Sequence, residues 1–407
     1  MLIGIDDTDS PRGMCTTYLG AVLARNLIRE GMRIREARLI RLNPNVTWKT
    51  RGNAAIALDV TGNPDKAFAI ACAAVEELAD FSCENTNPGV VVVDERPDPA
   101  FYRKAVTDFC EIDEAIRVLE AAGARYKGYK NRRGLIGATA AVASELADQT
   151  SEILVYRQPE QWGTARGVDR ESLFDAEAET FPHTWDTVDR VNDVVVCVPH
   201  TPDPVLFGIR GESPSWVMVA RSMIQSEKAS IEQIWVTNQG TDAHLLEGKI
   251  GELKDGLSYR VRGTVTDAPV TGIGGHISFT MCNEEKSLRC MAYEPTKNFR
   301  QIVRELCPGD GVIAVGSFKK RSINLEKIGI VKLALPVSSR PPVCVTCNKR
   351  MTSDGTGKGY KCKKCGKHAK EPEIREISRT LKTGWYEVPP TARRHLAKPL
   401  CRGELEY

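Results

Sequence analysis

The chain has 407 residues, 42% of them apolar and 27% charged, with a net charge of +3, the balance of a globular protein long enough for roughly two to four domains. No run of eighteen apolar residues occurs and the first residues already read as a strand, so neither a membrane span nor a signal peptide is expected, and the expected location is the cytoplasm. Thirteen cysteines, scattered except for two close pairs between residues 344 and 365, suit a reducing compartment with one metal site and argue against a disulfide framework.

Taken in order, residues 1–5 form a short apolar strand that opens into GIDDTDSPRGMCTT at 4–17. Asp6, Asp7 and Asp9 fall within four residues, and like charges that close need a cation, with Mg²⁺ the first choice. Ser10 to Thr17 supply turn residues and a helix cap before an apolar-periodic run at 18–28, and a helix N-terminus attracts phosphate. Two readings of this stretch stand side by side: a nucleotide–Mg²⁺ loop, or an acidic turn with an ordinary capping threonine.

Strands are expected at 36–42 and 54–60, with NPNVTWKTRGN between them. Its Lys49, Thr50, Arg51, Gly52 and Asn53 provide cations, a hydroxyl and a glycine for phosphate oxygens, although a plain polar hairpin has the same composition. A helix at 64–78, a strand at 89–94 and helices near 100–109, 112–122 and 135–146 follow. The last is preceded by YKGYKNRRG, so Lys127, Lys130, Arg132 and Arg133 crowd its start next to Gly134; this is a second phosphate site or a glycine placed for close packing. After a strand at 152–156, residues 159–182 read as irregular. Strands at 193–199, 205–211 and 233–238 around a helix at 215–225 suit part of a split βαβ sandwich that borrows strands from earlier in the chain.

From residue 259 the pattern is three strands (259–266, 276–282, 287–293), a helix (297–306) and two strands (310–318, 325–332), the order of an OB-fold. Arg260, Arg262, His276, Lys319, Lys320 and Arg321 suit either RNA or an ordinary solvated face. Cys344-x₂-Cys347 and Cys362-x₂-Cys365 have the spacing of a four-thiolate structural zinc site with a hairpin at 351–360 between the knuckles. Residues 340–407 carry sixteen Lys or Arg against seven Asp or Glu, so a basic end follows a mildly acidic body. Its GWYEVPPTARRHLAKPLCR segment at 384–402 either stacks and pairs with unpaired RNA or docks back on the body.

With GIDDTDSPRGMCTTYLG, RLNPNVTWKTRGN, NRRGLIGA, the OB-like segment and the four-cysteine ribbon in this order, the chain resembles the archaeal tRNA(Ile) agmatidine synthetases over essentially its whole length. The resemblance implies a multidomain α+β protein: a kinase-like α/β domain (1–185, sharing segments with the next), a ferredoxin-like domain (186–256), an OB-fold β-barrel (257–338), and a zinc ribbon with a basic tail (339–407). It implies an ATP-, Mg²⁺- and Zn²⁺-using ligase that replaces the 2-oxo group of the wobble cytidine in the CAU anticodon of tRNA(Ile) with agmatine, so that the tRNA reads AUA. A phosphorylated cytidine is the implied intermediate, and ATP ends as AMP. By the same resemblance Asp6, Asp7 and Asp9 look like Mg²⁺-associated catalytic acids and Thr16, or its neighbour Thr17, like a self-phosphorylated hydroxyl, while Lys49, Arg51, Gly52, Arg133 and Gly134 look like ATP-phosphate contacts. The implied partners are tRNA(Ile) and agmatine, without a membrane, and the sequence sets no oligomeric state. A non-catalytic single-stranded RNA-binding protein would leave the acidic loop idle, and a simple kinase would leave the barrel and ribbon unexplained.

Overall fold

A computed structural model describes residues 1–50, 52–284, 286–335 and 337–406. The first part of the chain lays down β1 (Leu2–Asp6), α1 (Thr16–Arg29), β2 (Arg33–Arg41), β3 (Ala54–Thr61), α2 (Pro64–Leu78), β4 (Gly89–Val93), α3 (Pro99–Thr107), α4 (Ile112–Ala121), β5 (Arg125–Gly128) and α5 (Gly134–Val142). Next come β6 (Thr150–Arg157), α6 (Arg170–Thr180), β7 (Thr184–Trp185), a small hairpin of β8 (Val188–Asp189) and β9 (Val194–Val195), β10 (Val205–Gly211), α7 (Pro214–Met223) and β11 (Ala229–Thr237). Apart from the small hairpin, these strands form one nine-stranded sheet, ordered β5-β4-β1-β3-β2-β11-β6-β10-β7. Its pairings are antiparallel except β2 with β11, which meet in parallel at Arg38/Val236 and Leu39/Thr237. The sheet is therefore two halves joined by a short seam, and β6, from before residue 185, is paired on both edges within the second half.

Strand alternation sorts the apolar residues onto the two faces. Ile3, Ile5, Ile56 and Leu58 pack under α1 and α2, while Leu2, Ala57, Val91 and Val93 pack under α3 to α5. α6 and α7 cover β6 and β10 through Leu173, Ala176, Val217 and Ala220.

Three elements differ from the sequence reading. Residues 170–180, expected to be irregular, form α6: the Asp169 carboxylate accepts from the Ser172 amide and caps a helix whose short apolar stripe is diluted by charged residues. The strand expected at 193–199 shrinks to β9, because Asp193 takes a left-handed φ of 56° and the Val196 and Cys197 amides both donate to the Thr187 carbonyl. Conversely, YKGYKNRRG begins in β5, which pairs with β4.

The next unit contains β12 (Leu245–Gly248), β13 (Ser258–Val265), β14 (Val270–Thr271), β15 (Ile277–Asn283), β16 (Lys286–Ala292), α8 (Phe299–Arg304), β17 (Gly311–Lys319) and β18 (Ser322–Lys332). β13 pairs with β15 and β17, β18 with β17 and β16, and β15 with β16, closing a small barrel around Val261, Phe279, Met281 and Ile328. The ribbon follows: β19 (Val337–Arg340) pairs with β23 (Glu373–Glu376), and β20 (Thr352–Ser353), β21 (Tyr360–Lys361) and β22 (His368–Ala369) form a three-stranded sheet. Finally β24 (Gly384–Glu387) returns to pair with β18 of the barrel.

Of the two readings of the 384–402 segment, the structure has the docked one. Trp385 is 6% exposed, Arg393 pairs with Asp186 and with Glu387 (2.7 Å), and Arg402 pairs with Glu212 (2.6 Å) and Asp148 (3.0 Å). At the same seam Glu326 of β18 meets Arg394 at 3.3 Å and His244 at 3.2 Å. Burial opposes its charge, but Arg394, His244 and Lys327 outweigh burial and hold the carboxyl at about 2. Its folded pKa thus lies below the ordinary 4.5, so the stabilisation is complete above about pH 4.5 and lost as the pH falls toward 2. In urea unfolding, Glu326→Gln is expected to cost roughly 3 kcal/mol at neutral pH, shrinking through that acid window; a cost independent of pH would count against the ion pairs as its source.

Candidate active site

The acidic loop leaves the middle of the first half-sheet. Asp6 ends β1, and Asp7 follows in the left-handed region at φ 57°, a conformation costly for a non-glycine residue and characteristic of functional turns. The loop is fastened on both sides. The Asn87 amide donates to the Asp7 carbonyl (3.1 Å), the Thr86 hydroxyl donates to the Asp9 carbonyl (2.7 Å), and Ser10 and Arg12 both donate to Asp80 at 2.8 Å.

The start of α1 is capped from a distance. Cys15 stands at the N-cap with no side-chain cap, and the Asp9 carboxylate instead accepts from the Thr16 amide (2.6 Å) and the Thr16 hydroxyl (2.9 Å). Thr8 donates its own hydroxyl to Thr16 Oγ1 at 3.0 Å. Thr16 is therefore 2% exposed and held against a carboxylate able to take its proton.

Arg133, just before α5, grips Asp7 with both arms, Nε to Oδ2 at 2.9 Å and Nη2 to Oδ1 at 3.1 Å. Burial nevertheless pushes the Asp7 carboxyl up to about 7 against the pull of Arg133, and burial with the neighbouring Asp7 raises Asp6 well above the carboxylate range. Such a cluster is short of positive charge, and its hard oxygen donors are those Mg²⁺ prefers. Space has been left beside it: a Cβ on Gly137 would lie 1.9 Å from Asp6 Oδ2.

These groups line a cleft of about 390 Å³. Its acidic end holds Asp6, Asp7, Asp9, Thr16 and Arg133, and its other walls bring Lys49, Thr50 and Asn131 together with Leu42, Val46, Trp48, Phe109 and Ile136. A second cavity of about 270 Å³ shares Asp9, Thr16 and Ala54 with the first and is lined by Glu152, Asp186, Asp203, Arg41, Arg210 and His395. Asp9 and Thr16 are thus a partition between a mixed polar and apolar cleft and an acid-rich cavity.

The residues expected at the site divide accordingly. Asp6, Asp7, Asp9, Thr16, Lys49 and Arg133 converge on the cleft, whereas Gly52 faces the second cavity and Arg51 lies outside the described residues. Lys127 is held by Glu76 (2.7 Å), and Lys130 donates to the Cys83 carbonyl (2.6 Å), so neither lines the cleft. Gly134 is a packing residue: a Cβ there would lie 2.3 Å from the Gly89 nitrogen and 2.7 Å from the Asp6 carbonyl oxygen. Gly134→Ala should push α5 off β1 and β4 and cost about 1–3 kcal/mol, read as a lower thermal midpoint; an unchanged midpoint would mean the helix can move aside freely.

Sequence reasoning missed Trp48, Phe109, Glu152, Asp186, Asp203 and Arg210, and it places His395 among the RNA-facing residues of the 384–402 segment. Trp48 sits inside the NPNVTWKTRGN loop, where an aromatic beside Lys49 is a local signal for a base-stacking wall. Asp203 belongs to a Pro-rich turn, HTPDP, and Asp186 takes a left-handed φ of 61°, but nothing local ties either to a residue almost two hundred positions away.

The four ribbon cysteines form a separate centre. Their sulfurs lie within 4.8 Å of one another, with Cys344 and Cys365 at 3.5 Å, which suits a tetrahedron with Zn–S bonds of about 2.3 Å. The ribbon's own apolar cluster has only Cys344, Met351 and Cys362 as buried members, so the metal would supply most of its folding energy.

Comparison with known proteins follows this anatomy. Family models described as the TiaS TCKD domain, the TiaS FLD domain and the TiaS C-terminal zinc ribbon domain match residues 2–131, 132–244 and 341–381. The isoleucine-tRNA 2-agmatinylcytidine synthetase TiaS of Methanocorpusculum labreanum is 53% identical, the match covering 99% of this chain and 97% of that protein. The corresponding protein of Archaeoglobus fulgidus is 46% identical over 99% and 98%. Among solved structures, a complex of TiaS with its isoleucine tRNA and ATP superposes with a TM-score of 0.93 at 44% identity. A complex of TiaS with the same tRNA, AMPCPP and agmatine superposes with 0.90 at 42%, and each match covers 100% of this chain and 98% of that one.

Proposed function

This chain belongs to the family of the isoleucine-tRNA 2-agmatinylcytidine synthetases, and from that premise we propose how its two cavities divide the work. The protein is an ATP-dependent ligase that forms agmatidine on tRNA(Ile). The observation that carries the division is the Asp9–Thr16 partition, with a nucleotide-sized cleft on one side and an acid-lined cavity on the other.

In this reading the 390 Å³ cleft takes ATP, its apolar walls around Trp48 and Phe109 receiving the base and Lys49, Thr50 and Arg133 the phosphates. Asp6, Asp7 and Asp9 would hold Mg²⁺, which when bound supplies charge stabilisation to the phosphoryl group. Asp9 orients the Thr16 hydroxyl and accepts its proton if that oxygen takes the phosphoryl group. Transfer of a phosphoryl group to the cytosine 2-oxygen turns a poor leaving group into phosphate. The agmatine amine then forms the C2–N bond as the C2–O bond breaks, the phosphate leaving with the electron pair and the amine giving up one proton. The acids of the second cavity suit the guanidinium at the other end of agmatine, which would share Glu152, Asp186 and Asp203 with the arginines already beside them.

The wider architecture fits the same reading. We take the chain as a kinase-like unit, a ferredoxin-like unit, an OB-fold barrel and a zinc ribbon, supported by matches at 2–131, 132–244 and 341–381 and by the barrel's 1-2-3-5-4 strand circuit. The family models divide at 131/132, while α5 at 134–142 still packs on β1 and β4 of the first half-sheet, so the two units share this segment. No described helix is long and apolar enough to cross a membrane. The purified protein, incubated with ATP, Mg²⁺, labelled agmatine and a CAU-bearing tRNA(Ile) transcript, should place label in the tRNA. Absence of label under conditions where ATP binds would defeat this reading in favour of a non-catalytic RNA-binding protein.

A further inference from the structure

A third pocket, of about 170 Å³, lies across Gly52 from the acid-lined cavity, between the loop after β2 and the docked C-terminal segment. Its polar lining is Arg41, Lys49, Arg394 and His395, with no carboxylate among the lining residues. We infer that this pocket binds one phosphate group of the tRNA strand, so that the C-terminal segment fixes the RNA backbone beside the nucleotide cleft.

Arg394 and Arg41 each stand near one carboxylate and are otherwise positioned by neutral groups. Arg394 is ion-paired through Nε with Glu326 (3.3 Å), while Nη1 donates to Asn45 Oδ1 (2.7 Å) and Nη2 to Ser317 Oγ (3.1 Å). Arg41 is braced by Gln239 Oε1 at 3.1 Å, with Glu152 no nearer than 4.0 Å. His395 accepts from Arg210 Nη2 on Nδ1 (2.7 Å), which leaves its proton on Nε2. That Nε2 lies 3.0 Å, and Arg41 Nη1 2.4 Å, from where a Cβ on Gly52 would stand, so the absent side chain leaves these two donors a shared approach. Glu326 and Glu152 offset part of the crowding, yet burial lowers the Lys49 ammonium below its usual range, and Arg394, Arg41 and Lys319 lower it further. Burial, with Arg41, Arg210 and Lys49 around it, holds His395 neutral. An anion seated among these groups would relieve that repulsion.

The choice of RNA over the nucleotide rests on place and size. The pocket has under half the volume of the nucleotide cleft, has no acid in its lining to share a metal with ATP, and is walled by the segment carrying Arg394 and His395, with barrel residue Ser317 bracing Arg394. The inference takes the tRNA substrate from the function proposed above, and the two fail separately, because wild-type agmatine transfer tests that function alone.

The test is binding of the CAU-bearing tRNA(Ile) by wild type, Arg394→Gln and Gly52→Ala over a range of salt, with binding of a non-hydrolysable ATP analogue and thermal midpoints measured on the same proteins. Gly52→Ala puts a methyl group between Arg41 Nη1 and His395 Nε2 while keeping every charge. For Arg394→Gln the expected result is about tenfold weaker tRNA binding and a log–log salt slope shallower by about one, with analogue binding within about twofold. Gly52→Ala should weaken tRNA binding in the same direction. Unchanged tRNA affinity and slope in both folded variants would overturn the inference, as would lost analogue binding with tRNA binding intact, which would give the pocket to the nucleotide. If Arg394→Gln fails to fold, Gly52→Ala, which removes no charge, decides the matter on the same readouts.

Discussion

Replacing Asp7 by asparagine should slow ATP-dependent agmatine transfer on the order of 10²- to 10³-fold or more while leaving tRNA binding within about threefold. The substitution is nearly isosteric, so the left-handed turn and its Asn87 contact can persist. What disappears is the carboxylate that anchors both arms of Arg133, and with it the net negative charge that a Mg²⁺ ion would answer. The two effects separate by titration: a metal defect recovers partly at high Mg²⁺, and a loss of Arg133 alignment does not. Loss of tRNA binding and of catalysis together, with a lowered thermal midpoint, would instead assign Asp7 to the fold.

Cys362→Ser should have the second large effect, on a different function. One ligand of the four-sulfur cluster is lost, and apparent binding energies of about 10–16 kcal/mol for structural zinc mean that a ribbon with so small a core unfolds without it. The protein should then contain no stoichiometric zinc by elemental analysis and should bind tRNA on the order of 10- to 100-fold more weakly, since Lys358, Lys361, Lys363, Lys364 and Lys367 lose their fixed arrangement. Nucleotide binding and any phosphate incorporation at Thr16 without tRNA should survive, because β24 and the segment after it are anchored to the barrel and sheet independently of the ribbon. Loss of nucleotide binding along with zinc would contradict this separation.

Much of this anatomy is legible from residues alone where the determinants are local. The acids at 6, 7 and 9 sit at a strand end because a short apolar run must stop there, and the cysteine spacing specifies its own geometry. The barrel circuit follows from strand and helix order. What escapes is whatever depends on distant parts of the chain. Asp9 caps α1 from seven residues away, and Thr16 becomes a partition only because Glu152 and Asp203 close the cavity behind it. The basic character of the 384–402 segment points outward to a polyanion, yet Arg393 and Arg402 are spent on Asp186, Glu387, Asp148 and Glu212 of the protein itself. Composition registers their charge but not the acids that neutralise it.

The docked segment also sets an order in time. His395 lines the acid cavity and Arg394 the neighbouring pocket, and both are made by the ribosome after the sheet, the barrel and the ribbon. A nascent chain can therefore lay down its acidic loop and most of its barrel early, while both pockets lack one wall until residues 384–402 emerge and settle.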